Sequence, residues 1–325
     1  MEARSSRVRA VRRALILFGV VAVATVTTSS SLAANPIGSV VSVAAVATLP
    51  VLDAVADHDE ASLDSLLGRS GKLRARFLPA SSDMYVPHLA RLFGDSALRR
   101  PGVHTVADSQ LGSEFSLITL RPFADKVRGR IGTYRIGFWP YERRATSPVA
   151  YENPDGFVEV TPDNQETYVS EHFRLRDFLT KDQPDVWPKY LVLDERLLDK
   201  LELMIDELND VGIPVTHLSV MSGFRTPQYN ARGVGDGGRA SASRHQYGDA
   251  ADVFVDNDHD GGMDDLNRDG RVDRRDAGVL REAADRVEAA HPELIGGVGI
   301  YKATRAHGPF VHVDARGHRA RWGRV

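Results

Sequence analysis

The chain of 325 residues has no cysteine, so no disulfide can hold it together, and its stability must come from packed cores and bound ions. Its most apolar uncharged run, Ala14 to Val26, falls short of the ~20 residues that a membrane-spanning helix needs. Neither charge sign dominates. The 41 Lys and Arg stand against 44 Asp and Glu, a net charge of −3 that leaves no footprint for a nucleic-acid partner. No P-loop, dinucleotide fingerprint or serine-nucleophile motif occurs, which sets aside the common nucleotide-dependent and serine-hydrolase chemistries. What remains, 42% hydrophobic and 26% charged, is the composition of a soluble globular protein.

The N-terminus points out of the cytoplasm. Met1 to Arg13 carries five arginines against the single acid Glu2, the apolar run follows, and Ser31-Leu32-Ala33 offers a small-x-small cleavage site. Residues 1–33 therefore read as a signal peptide. A second apolar stretch, Ile37 to Leu49, keeps open an uncleaved signal anchor and with it membrane attachment through the N-terminal segment. Residues 34–64, small and Ala/Val-rich and then acidic, read as a tether. The expected location is the periplasm or cell envelope.

The length suggests about two domains after the leader. Residues 65–165 carry alternating segments punctuated by Gly and Pro: Phe115 to Leu120, then Ile131, Tyr134, Ile136 and Phe138, then Gly156 to Thr161. This pattern predicts a small β-rich accessory domain. Residues 166–325 open with helical spacing at Ser170–Leu179. Arg196–Leu208 follows, an amphipathic helix with Leu197, Leu198, Leu201, Met204, Ile205 and Leu208 on one face and Gly212 as its stop. Strand candidates lie at Leu218–Ser222, Gly248–Val255, Gly297–Tyr301 and Pro309–Asp314, with a helix at Val279–Ala290. Helices followed by short strands predict an α+β fold with an antiparallel sheet.

The chemistry concentrates in Ser-Arg-His-Gln-Tyr-Gly-Asp-Ala-Ala-Asp (243–252) and Phe-Val-His-Val-Asp (310–314). His245, Asp252 and His312 can offer three ligands to one zinc ion, leaving the fourth tetrahedral position to water, as catalytic zinc sites do. Asp252 would point into the site from a strand pleat, and Gly248 would let the loop with His245 bend back. Val311 and Val313 would face the core on either side of His312. Either histidine alone would be read as a satisfied structural residue; the joint pattern favours a shared ion.

These residues resemble the LAS zinc peptidases, the group of D-alanyl-D-alanine carboxypeptidases, murein endopeptidases and the hedgehog signalling domain. Ser243, His245, Gly248, Ala250 and Asp252 match its S-x-H-x-x-G-x-A-x-D pattern position by position, and Met221-Ser-Gly-Phe-Arg-Thr resembles its upstream segment. Gly296-Gly-Val-Gly-Ile-Tyr, Pro309-Phe-Val-His-Val-Asp-Ala-Arg-Gly and Arg321-Trp322 look most like the murein endopeptidase subgroup. The likeness spans roughly 168–325. It implies a hedgehog-like antiparallel sheet with helices, zinc held by His245, Asp252 and His312, and Arg225 near the scissile carbonyl. It also implies hydrolysis of peptidoglycan peptides by zinc-activated water, as a D,D-carboxypeptidase or a murein endopeptidase. The alternative for Arg225 is a surface salt-bridge residue. Many members carry an acid three residues before the last histidine, where this chain has Pro309. Asp314 is then the first candidate for general base or for an orienter of His312, with Asp249 and His307 behind it.

An aspartate-rich insertion, 256–276, contains eight aspartates. Asp265, Asn267, Asp269, Arg271, Asp273 and Asp276 fall at positions 1, 3, 5, 7, 9 and 12 of an EF-hand-type loop, with Gly270 at the turn, and predict structural calcium. An overlapping frame begins at Asp256 with Asp258, Asp260, Gly261 and Asp264; the alternative is a solvated acidic loop. Trp139, Trp187 and Trp322 read as core or interface aromatics, and His172 as a packing residue. Two rival functions stand beside the peptidase: an inactive zinc-fold protein that binds cell-wall peptides, and a calcium-dependent exported binding protein.

Overall fold

A computed structural model describes residues 66–80, 87–108, 113–235 and 238–323, all within the compact unit Ala47–Val325. The expected signal segment 1–33 and the whole tether 34–64 lie outside the described residues, as do the four gaps between and after these ranges. The elements run β1 (Ala75–Pro79), α1 (Pro87–Phe93), α2 (Asp95–Arg99), β2 (Gly102–Asp108), β3 (Ser113–Pro122), β4 (Arg130–Ile131), β5 (Tyr134–Arg135), β6 (Gly156–Val160), β7 (Lys189–Leu191) and α3 (Glu195–Asp210). They continue with β8 (Leu218–Ser222), α4 (Pro227–Ala231), β9 (Ala250–Val255), α5 (Arg274–Ala290), β10 (Gly297–Tyr301), β11 (Phe310–Asp314) and β12 (Ala320–Trp322). The fold is α+β. Among the described residues no helix is long and apolar enough to cross a membrane.

The first sheet centres on β3, which pairs with β1 in parallel and with β2 and β6 antiparallel; β7 then pairs with β6. The alternation in β3 predicts one wet face, yet the strand is buried on both. Phe115 and Leu117 join a small cluster with Leu78, Leu89 and Leu98, and Ile118 joins the main core. That main core continues through Phe157, Leu191, Leu197, Leu201, Val253 and Val313, so the β-rich segment and the C-terminal half share one apolar interior. The pattern at Ile131–Phe138 yields only the short β4–β5 hairpin, with Phe138 39% exposed. The helical spacing at Ser170–Leu179 closes into a 3-10 turn, Leu175–Phe178. There, Glu202 of α3 holds both the backbone and the ring of His172, which keeps the preceding chain extended.

Helix α3 starts where the Asp194 carboxylate accepts from the Arg196 amide, and ends before Gly212, whose positive φ of 80° suits only glycine well. It packs on α5, which lies against β10 and β11. The second sheet has the order β12-β10-β11-β9-β8 and is antiparallel except for β10 with β12. Val253, Val311 and Val313 are fully buried in the core. Strand alternation therefore turns Asp252 and His312 to the opposite face.

Candidate metal centre

Three local devices bring the predicted ligands together. Asp252 and His312 are direct cross-strand partners in the β9–β11 register. His245 lies in a 3-10 turn, Arg244–Tyr247, that ends at Gly248 with φ 74°. A Cβ at Gly248 would sit 2.3 Å from the Val192 carbonyl oxygen, so both the turn and the close approach require glycine.

The donor atoms meet at a point. His245 Nε2 lies 3.2 Å from Asp252 Oδ1 and 3.0 Å from His312 Nδ1, and His312 Nδ1 lies 3.0 Å from Asp252 Oδ1. Ligands ~2.0–2.1 Å from a tetrahedral zinc stand about 3.3 Å apart, so the triangle fits such an ion with little adjustment. The opposite ring nitrogens are committed. His245 Nδ1 donates to the Gly223 carbonyl at 2.7 Å, and His312 Nε2 donates to Asp314 Oδ2 at 3.1 Å. Each ring therefore turns a lone pair toward the shared point. Two imidazole lone pairs and a carboxylate oxygen converging in a buried space repel one another unless positive charge lies between them.

The electrostatics express that demand. Burial pushes His312 down, but the carboxylates of Asp252 and Asp314 outweigh it and lift its pKa to about 8. Burial dominates at His245 and lowers it. Burial opposes ionisation of Asp252, yet the two histidines hold its carboxyl well below the usual range.

Asp314 stands behind His312, on the far side of the ring from the donor point. It is fully buried, and its oxygens accept from the Gly297 amide at 2.7 Å, the Arg316 amide at 3.1 Å and the Arg316 guanidinium. Of its two expected roles this geometry suits the orienter: Asp314 Oδ2 accepts from His312 Nε2, and Asp314 is not among the residues that line the cleft. Asp249 is likewise buried, in a pair with Arg244. Arg225 donates to Ser222 Oγ at 2.9 Å and to Asp252 Oδ2, leaving Oδ1 for the ion. A bulge in β8 between Val220 and Ser222 sets up that geometry.

The ligands open into a cleft of about 910 Å³. His307 lines it; its Nδ1 contacts the Gly308 carbonyl at 2.8 Å and its ring packs edge-on against Phe310. Lys181, Arg225, Arg239, Arg244 and Arg316 also line the cleft, against Asp252 as its sole acidic residue among the described residues. Trp322, read from sequence as a core or interface aromatic, is instead a wall of this cleft, its ring 5.2 Å from that of His312. It fits because Gly299, opposite His312 in β10, has no side chain; a Cβ there would fall 2.1 Å from Trp322 Nε1. Trp139 matches its core reading and donates to the Gln246 carbonyl at 2.8 Å, bracing the turn with His245.

The expected calcium ligands do not assemble. No three acidic side chains among Asp265, Asp269, Asp273 and Asp276 come within 4.8 Å of one another. Asp265 accepts from the amides of Asp269 and Gly270, and Asp273 caps α5. Asp276 is fully buried in a capping box and accepts from the amides of Leu266, Asn267 and Asp273. Asn267 Oδ1 accepts from the Asp269 amide, and Arg271 donates its amide to Asp269. The loop is held by its own backbone amides, and its position-12 residue, Asp276, takes part in the capping box of α5. Compared with known proteins, the chain matches no family model, no curated protein and no solved structure.

Proposed function

We propose that the protein is an exported zinc peptidase of the LAS type, with a hedgehog-like sheet, that hydrolyses peptide bonds in peptidoglycan stems or cross-links. The observation that carries the metal is the convergence of His245 Nε2, Asp252 Oδ1 and His312 Nδ1, with both outer ring nitrogens already committed. The substrate class rests on the sequence resemblance, and Lys181 and Arg239, the two cleft cations with no carboxylate partner among the described residues, suit peptides that carry carboxylates.

The three donors would hold the ion, which when bound supplies Lewis acidity and lowers the pKa of water. Asp314 and the Gly223 carbonyl fix the two rings. Arg225 positions Asp252, and its remaining N–H groups line the cleft, where they can meet negative charge developing on a carbonyl oxygen. His307 takes the place of the missing carboxylate base. With its Nδ1 proton given to the Gly308 carbonyl, Nε2 is free to accept a proton from water and return it to the leaving amine.

One observation favours a second reading. The cleft has no acidic residue beyond the ligand Asp252 among the described residues, as expected if the site binds cell-wall peptides without cutting them. Incubating the protein with muropeptides, with and without chelator and then with zinc restored, separates the two by mass spectrometry. Zinc-dependent cleavage that is lost in His307→Ala, with zinc content unchanged, supports the peptidase. Binding without cleavage supports the second reading.

A further inference from the structure

A second group of metal-ligating side chains lies further along the same strand. Asp256 directly follows β9, four residues beyond Asp252 and thus about 13 Å from it along an extended chain. Its neighbours are His217, which directly precedes β8, and His259 in the insertion. The donor atoms of His217, Asp256 and His259 all lie within 4.8 Å of one another. We propose that these three residues form a second metal site, which takes a borderline divalent ion of the zinc type.

The scaffold fixes the first two donors. The Asp256 amide donates to the His217 carbonyl at 3.0 Å. The Asn257 side chain then clamps both chains. Its Oδ1 accepts from the Thr216 amide at 2.7 Å and the His217 amide at 3.2 Å, and its Nδ2 donates to the Pro214 carbonyl at 2.9 Å. His259 sits on the exposed side, so it can swing in to close the distance while the other two stay put.

Two features distinguish this cluster from an ordinary acidic turn. The rings of His217 and His259 lie 4.5 Å apart, and neither has a hydrogen-bond partner among the described residues. Asp256 is 4% exposed, its carboxylate accepts from the Gly261 amide at 3.3 Å, and it lies in a group with Asp258 and Asp260 in which none is paired with a lysine or arginine among the described residues. Three carboxylates with no lysine or arginine partner concentrate negative charge beside the two imidazoles, which a divalent cation offsets. Oxygen donors alone would suit calcium, whereas two imidazoles select a zinc-type ion.

The ion would staple the root of the insertion to β8. Gly261 to Met263, just beyond, line a cavity of about 250 Å³ together with Ala306 to Pro309, so the staple would also steady the segment that carries His307.

The test is zinc stoichiometry of the whole protein, stripped with chelator and reloaded with zinc alone, by elemental analysis. Two equivalents are expected. The double variant His217→Ala with His259→Ala should bind one, His245→Ala should bind one, and the triple variant none. A double variant that binds as much zinc as the parent overturns the proposal. So does a parent that binds a single zinc, retained by the double variant. Should the first site be misassigned instead, His245→Ala would keep full zinc while the double variant still lost one. His259→Ala alone, at an exposed position, guards against misfolding. It should weaken binding of the second equivalent at least tenfold with the circular dichroism spectrum unchanged, and unchanged binding counts against the site. In a calcium titration, equal stabilisation of parent and double variant, with no difference in their zinc content, would assign the cluster to oxygen ligation and overturn the proposal.

Discussion

Asp252 and His312 face each other across β9 and β11, 3.0 Å apart at Oδ1 and Nδ1, so a single cross-strand pair supplies two of the three donor atoms. A β-ladder is stiff, and its register cannot slip without turning Val253, Val311 and Val313 out of the core. The hydrophobic core thus sets the ligand geometry, and only His245 depends on a turn.

Asp314→Asn tests the orienting role. The amide cannot take the Nε2 proton of His312 as a carboxylate does, and it leaves the Arg316 guanidinium without its anion. Partners of this kind are typically worth ~10–100-fold in metal affinity. Zinc affinity should fall by that factor, and turnover should recover at saturating zinc. A loss of turnover that persists with the site fully loaded would return Asp314 to the role of base.

Zinc binding should release protons in a pH-dependent way. The metal-free His312 has its pKa raised to about 8, so near neutral pH its ring is mostly protonated and must lose a proton before Nδ1 can bind an ion. Burial keeps His245 lowered, so it adds none. Apparent zinc affinity should therefore climb as pH rises toward 8 and then level off. His312 should release about one proton per zinc near pH 7 and almost none above pH 9. Zinc-bound water adds its own proton to a calorimetric total, so the check is the imidazole NMR titration of His312 in the metal-free protein, where a midpoint below the ordinary 6.5 would contradict the raised pKa.

Much of the site was legible in the sequence because spacing on a strand fixes direction. Asp252 and His312 fall on the pleat opposite to core valines, and Gly248 marks the turn that returns His245. Roles that depend on what packs behind a residue were not legible. Asp314 shares a face with His312, which suits a base and an orienter equally; only the burial of its oxygens against Gly297 and Arg316 decides between them. The EF-hand spacing of Asp265–Asp276 does not by itself separate an ion-binding loop from a helix start. A capping box uses the same acidic residue at the start of a helix, and Asp276 serves that purpose. Trp322 gave no signal of its own, although Gly299, the residue whose missing side chain makes room for it, was quoted in the motif.

Asp276→Ala tests the capping role against the ion-binding one. Loss of the capping box should cost about 1–2 kcal/mol or more, given the three amides left unpaired. Urea denaturation should give the same difference in calcium and in chelator. A difference that grows with calcium would restore the loop as a cation site.

Lys200 lies in α3 beside the core leucines and is fully buried. Its ammonium donates to Glu288 Oε1 at 2.6 Å and to the Asp314 carbonyl at 2.7 Å, while burial lowers its pKa. Lys200→Met leaves the Glu288 carboxylate in the interior with Arg321 and the Gly296 amide as its remaining partners. Breaking a buried pair in this way costs about 3–5 kcal/mol. Chemical denaturation should show a loss of that order, and a change below about 1 kcal/mol would mean that Arg321 and the Gly296 amide suffice to hold the Glu288 carboxylate.

Gly299→Ala probes the wall beside His312. The new Cβ would lie 2.1 Å from Trp322 Nε1 and 2.2 Å from Cε2, too close for any rotation of the methyl to relieve. The indole must move, breaking its hydrogen bond to Tyr301 Oη at 3.0 Å. Overpacking of this kind costs about 1–3 kcal/mol. Tryptophan emission should shift to longer wavelength as the ring is exposed, and zinc affinity should weaken as His312 loses its neighbour. The decisive measurement is the double-mutant cycle. Once Gly299→Ala has displaced the ring, adding Trp322→Ala should cost less than it does in the parent protein, because the clash goes with the indole. Additive effects would show that Gly299 and Trp322 do not constrain each other.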